Sequence, residues 1–86
     1  MKIKYFMSPT CWPCRSFWKV IEELSDKYDI KKIDISTEDG IEIAKDEEIK
    51  STPSVLIKWK VDREILVGAQ DKETIINEIE RQLKDE

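Results

Sequence analysis

The chain has no histidine, two cysteines and two glycines among its 86 residues, and it has no long apolar run. Each shortage closes off a class of protein. A structural zinc site needs about four Cys, His or carboxylate ligands. With two thiols and no imidazole, one chain cannot build a zinc ribbon, although two chains sharing a metal remain open. Both cysteines lie in Cys11-Trp12-Pro13-Cys14, so no pair is left for a structural disulfide and the framework is non-covalent. No apolar stretch approaches the roughly 18 residues of a membrane span. Residues 1–7 are too short, and too interrupted by Lys2 and Lys4, to be a signal peptide. A cytoplasmic protein without a membrane partner is therefore expected. Basic excess is missing too: Lys+Arg total 15 against 19 for Asp+Glu, a formal net charge of -4 that favours solubility over nucleic-acid binding.

What is present fits one domain over residues 1–86, with a thin core, because a chain this short buries only a little over about 60% of its unfolded surface. Residues 2–7 are β-prone and apolar apart from the two lysines, and Ser8-Pro9-Thr10 breaks the strand. Phe17, Val20, Ile21, Leu24 and Tyr28 then recur at helical spacing. Pro13 is tolerated only in a helix's first turn, so this helix opens at the cysteines. A second strand is expected at 31–35, turn and cap chemistry at 36–40, and a short helix at 41–47. Ser51-Thr52-Pro53-Ser54 leads into a third strand at 55–59, in which Val55, Ile57 and Trp59 share a face. A turn near Val61-Asp62 returns a fourth strand at 64–67, ended by Gly68. Asp71 can cap a last helix that places Ile75, Ile76, Ile79 and Leu83 on or near one face. The order β-α-β-α-β-β-α predicts an α/β fold, a four-stranded mixed sheet flanked by three helices. Its first half is a right-handed parallel βαβ unit and its second half a hairpin. Phe6, Met7, Trp18 and Trp59 are expected in packing roles and Trp12 on the surface. The run Lys45-Asp46-Glu47-Glu48 is expected to be a solvated helix end.

A CxxC at the start of the helix after the first strand, Thr52-Pro53 before the third strand, and Val67-Gly68-Ala69 before the last helix together resemble the thioredoxin family. Thioredoxins usually carry an extra strand and helix before this core, so the shorter order is also similar to glutaredoxins and small redoxins. The resemblance implies that Cys11 is the attacking thiolate, Cys14 the resolving thiol and Pro53 a cis-proline facing them. It further implies that Trp12, Pro13, Thr52, Gly68 and Ala69 form the substrate face. The family's buried first-strand acid falls at Tyr5 here, and Lys32 aligns with a lysine near that acid. Tyr5, Lys32 and Arg15 are therefore the residues expected to tune the redox pair.

Spacing of three at a helix N-terminus places both sulfurs on one side of the first turn, near enough to bond. The unsatisfied N–H groups and dipole there favour an anion, so the Cys11 pKa is expected to fall from about 8.5 towards about 7. The expected activity is thiol-disulfide oxidation-reduction through Cys11 and Cys14, with no metal or cofactor. The partners are disulfide-containing clients and an upstream thioredoxin-reductase-like reductant, and the protein is a monomer. Two rivals remain at this point. One is a glutaredoxin-like enzyme recycled by glutathione, the other a carrier in which Cys11 thiolates of two chains hold an iron–sulfur cluster.

Overall fold

Lys2–Met7 forms β1, Trp12–Ser25 α1, Ile30–Asp34 β2, Glu38–Asp46 α2, Ser54–Trp59 β3, Asp62–Val67 β4 and Lys72–Lys84 α3 in the computed structural model, which describes residues 1–84. The strands are ordered β2-β1-β3-β4. β1 runs parallel to β2 and antiparallel to β3, and β3 is antiparallel to β4. This is the mixed sheet and element order expected above. Among the described residues no helix is long and apolar enough to cross a membrane.

Alternation along the two central strands divides the core. Ile3, Tyr5, Val55 and Ile57 pack on one face with Phe17, Ile21 and Leu24 of α1 and Ile75 and Ile79 of α3. Phe6 and Leu56 point to the other face, where they meet Ile33 and, from α2, Ala44. The sheet is thus sandwiched between α1 with α3 and α2 alone.

Several boundaries differ from expectation, each for a local reason. β2 sits one residue earlier than 31–35. α2 opens at Glu38, ahead of the expected 41–47, because Thr37 is its N-cap: the Thr37 hydroxyl accepts from the Gly40 N–H at 3.0 Å and donates to the Asp34 carbonyl at 2.8 Å. Gly40 is therefore helical and buried rather than part of a turn. A Cβ at position 40 would lie 1.8 Å from the Asp34 carbonyl oxygen and 2.9 Å from the Thr37 hydroxyl. Gly40→Ala is accordingly expected to destabilise by about 1–3 kcal/mol despite alanine's better helix propensity. Denaturant unfolding checks this, and an unchanged midpoint would mean that the turn yields freely. β4 begins at Asp62, two residues before the expected 64, because its pairing with β3 runs out to Trp59↔Asp62. In α3 the inward residue near the end is Gln82, not Leu83. Gln82 is fully buried and its amide donates to the Ile57 carbonyl at 2.9 Å, while Leu83 is 42% exposed.

The run 45–48 is not a plain solvated end. After α2, Ile49 N–H bonds the Ala44 carbonyl and Glu48 N–H the Lys45 carbonyl, with Glu48 at φ 62, which is a Schellman closure. That closure turns Glu47 inward, to 9% exposure. Its carboxylate accepts from Lys4 at 3.2 Å and Lys58 at 3.5 Å and lies 4.0 Å from Arg63, whose guanidinium also donates to the Glu47 carbonyl. Burial alone would push this carboxyl up; the hydrogen bonds and charges of Lys4 and Lys58 outweigh it and hold it below the ordinary glutamate value. A carboxyl whose pKa is lowered by folding contributes stability above its unfolded pKa and loses it as pH falls through the lower folded value. Glu47→Gln is thus expected to cost about 1–2 kcal/mol at neutral pH. The gap to the parent protein should close as pH drops below the glutamate range, as followed by urea unfolding at a series of pH values. A gap independent of pH would rule out the ionic origin.

Candidate active site

One end of the sheet gathers every loop that the motifs single out. At that end β1 finishes at Met7, β2 at Asp34 and β4 at Val67, and β3 begins at Ser54. The pairings Met7↔Asp34, Phe6↔Ser54 and Ser54↔Val67 bring these residues side by side. Cys11 follows β1, Thr52-Pro53 precedes β3 and Gly68-Ala69 follows β4. Three segments far apart in sequence therefore meet at one edge.

Cys11 is the N-cap of α1, in extended conformation, its N–H bonded to the Ser8 carbonyl at 3.0 Å and its side chain making no capping bond. Trp12 and Pro13 occupy the first two helical positions, where proline's missing N–H costs nothing. Cys14 is 3% exposed, whereas Cys11 is partly accessible and Trp12 is 74% exposed. The two cysteines form a disulfide with a Cα–Cα distance of 5.3 Å. That lies inside the range such a bond needs. Helical spacing thus yields an asymmetric pair, Cys11 partly accessible and Cys14 buried.

The electrostatics around the pair favour an anion at Cys11. The first turn of α1 carries no acidic residue, and its free N–H groups face the cap. In the same turn, Arg15 holds its guanidinium 5.3 Å from the centroid of the Trp12 ring. The neighbouring loops supply backbone in distinctive conformations. The Thr52-Pro53 peptide bond is cis, as the resemblance implies, with Pro53 buried and Thr52 half-buried. Gly68 sits at φ 85 and its N–H bonds the Pro53 carbonyl at 2.8 Å, tying the two loops together. A positive φ is open to glycine without strain, so Gly68 can end β4 and turn the chain back at this point. Ala69 is exposed, and Val67 beside it is 59% exposed, leaving an apolar surface at the same sheet end as Trp12.

Tyr5 and Lys32 stand on the inner side of the pair. Tyr5 is buried in the α1 face of the core, and its hydroxyl donates to the Cys14 carbonyl at 3.2 Å. Lys32 extends from β2 so that its ammonium lies 4.5 Å from the centroid of the Trp18 ring. One participant lies outside the sequence reading. Trp18, expected only to pack, links Tyr5, on which it stacks at 5.9 Å, to Lys32. Val67, expected at the end of β4 and in the segment that carries the resemblance, is exposed beside Gly68. Among the described residues no group of three or more acidic or cysteine side chains is arranged to hold a metal.

A family model described as Thioredoxin matches residues 2–81. The chain is 32% identical over 83 residues to thioredoxin 1 of Nostoc sp., an alignment that covers 91% of this chain and 76% of that protein. It is 30% identical over 81 residues to the chloroplastic M-type thioredoxin of Chlamydomonas reinhardtii, covering 91% of this chain and spanning 58% of the relative's length. Among solved structures, thioredoxin 1 of Thermosipho africanus superposes with a TM-score of 0.80 at 25% identity, covering 98% of this chain and 96% of that one.

Proposed function

The chain belongs to the thioredoxin family of thiol-disulfide oxidoreductases, and from that premise we propose that it reduces the disulfides of client proteins, with Cys11 as nucleophile and Cys14 as resolving thiol. The carrying observation is the Cys11–Cys14 disulfide at the opening of α1, with Cys11 partly accessible and Cys14 buried. In the reduced protein the Cys11 thiolate attacks one sulfur of a client disulfide. A mixed disulfide forms and the other client sulfur leaves as a thiol. Cys14 then attacks Cys11, the internal disulfide closes and the second client thiol is released. Two electrons have passed from the dithiol to the client. An upstream thioredoxin-reductase-like protein returns them.

The surrounding residues support this reading. Trp12, Pro13, Thr52, Pro53, Gly68 and Ala69 form the face on which an extended client segment lies, and Arg15 favours the thiolate. Tyr5 and Lys32 act on the inner thiol. The family supports disulfide clients in general, while the particular reductase is our inference. A monomer in the cytoplasm is the setting we infer. Cytoplasmic thiol pools keep such dithiols reduced, and the exposed large apolar side chains, Trp12 and Val67 apart, are scattered over the surface. The matches are to thioredoxins, and nothing in them favours a glutathione-recycled or cluster-carrying protein.

Two measurements test the proposal. A redox titration of the Cys11–Cys14 couple, read by Trp12 fluorescence, is expected to give a potential close to about -270 mV. Reduction of insulin is expected to run with a thioredoxin reductase and its nicotinamide donor and to stall with glutathione alone. Turnover with glutathione but not with the reductase would overturn this reading.

A further inference from the structure

A cavity of about 370 Å³ opens beside the inner thiol, with Tyr5, Cys14, Arg15, Trp18 and Lys32 in its walls. Tyr5 is 1% exposed and anchored on two sides, edge-to-face with Phe17 at 5.7 Å and stacked on Trp18 at 5.9 Å. Held in this way, its hydroxyl is committed to donating to the Cys14 carbonyl. Among the described residues, the cavity walls carry no carboxylate. The titratable or charged groups facing Cys14 across it, among the described residues, are Tyr5 from β1, Arg15 from α1 and Lys32 from β2.

Resolution of the mixed disulfide needs a place for a proton. As Cys14 attacks, its S–H bond breaks and its sulfur bonds Cys11. The bond between Cys11 and the client breaks, and the client sulfur leaves with the electron pair and becomes a thiol. Tyr5 cannot accept the Cys14 proton: its hydroxyl is already a donor, and burial pushes the phenol above its ordinary value, keeping it protonated. Protonated lysine and arginine are donors only. The cavity is roomy enough for several waters at about 30 Å³ each. The cations in its walls favour the thiolate that deprotonation leaves behind.

We propose that Tyr5 is a positioning residue that fixes the Cys14 turn, and that the Cys14 proton leaves through this cavity to water, with no side-chain acid relaying it. The inference rests on reading Cys14 as the resolving thiol. Tyr5→Phe removes the hydroxyl but keeps the ring, and Lys32→Gln removes a cation at an exposed position of β2 while keeping a side chain of similar length over Trp18. Rapid-mixing kinetics separate attack by Cys11 from release of the client. In the parent protein, release is expected to accelerate about tenfold per pH unit to a single plateau. In Tyr5→Phe, attack should stay within about twofold of the parent while release slows about tenfold at every pH. In Lys32→Gln the single inflection should move to higher pH. Release at the parental rate in Tyr5→Phe, or attack and release slowing together, would overturn the positioning role. A second inflection in the carboxylate range would overturn the water route. Failure of the underlying reading looks different, because Cys14→Ser would then release the client at the parental rate with no covalent adduct accumulating.

Discussion

Cys11→Ser is expected to lower disulfide-reductase turnover by about 10³-fold or more, to the rate of the assay without protein. A serine hydroxyl at a helix N-cap is not an alkoxide at neutral pH, and the helix-end field that suffices to ionise a thiol falls far short of ionising an alcohol. The residues around Cys11 offer no imidazole to act as a base, since the chain has none. The fold should persist, because Cys11 is partly accessible and serine is a preferred N-cap. Melting unchanged from that of the reduced parent, with insulin reduction lost, is therefore the expected pair of results. Retained reduction would end the assignment of Cys11 as nucleophile.

Cys14→Ser should fail in a different way. Cys11 is still able to attack, so one client sulfur becomes attached, but no internal thiol remains to release it. Well-oriented intramolecular groups react with effective molarities that can exceed about 10⁵ M, which millimolar external thiol does not approach. Turnover is expected to fall by about 10²-fold or more, while a covalent adduct of protein and client accumulates. Mass spectrometry under non-reducing conditions should show one client per chain, released by added dithiothreitol. Steady turnover without adduct would mean that an external thiol resolves the mixed disulfide, and would end the assignment of Cys14 as resolving thiol.

The thermodynamic origin of this division of labour is modest at Cys11 and large at Cys14. A lowered thiol pKa raises the thiolate fraction but lowers its nucleophilicity, with a Brønsted slope of about 0.4–0.5, so much of the gain cancels. The larger advantage comes from the fixed first turn of α1, which keeps the two Cα atoms 5.3 Å apart in the oxidised protein. Rigid placement by the Tyr5 hydroxyl and the packed core beneath the turn serves the same end.

Amino-acid order alone determined the element sequence, the mixed sheet and the redox pair, because these are set by local signals. Apolar periodicity, Pro13 in a first turn and three-residue cysteine spacing each act within one or two turns of chain. It did not reveal that Gly40 is helical, which depends on the Thr37 hydroxyl outcompeting a turn, or that Gln82 rather than Leu83 faces the core. Gln82 is inward because the Ile57 carbonyl accepts its amide, a partner 25 positions away. Glu47 reads as one charge in a run of four, and it becomes a buried ion-pair centre only because β1, β3 and β4 bring Lys4, Lys58 and Arg63 to it. Tyr5 likewise reads as a missing acid. That its phenol donates to the Cys14 carbonyl, beside a cavity with no carboxylate among its described walls, follows from how β1 and α1 pack. Local chemistry is written in neighbouring residues, whereas the environment of a buried polar group is decided by which distant backbone and charge the fold carries to it.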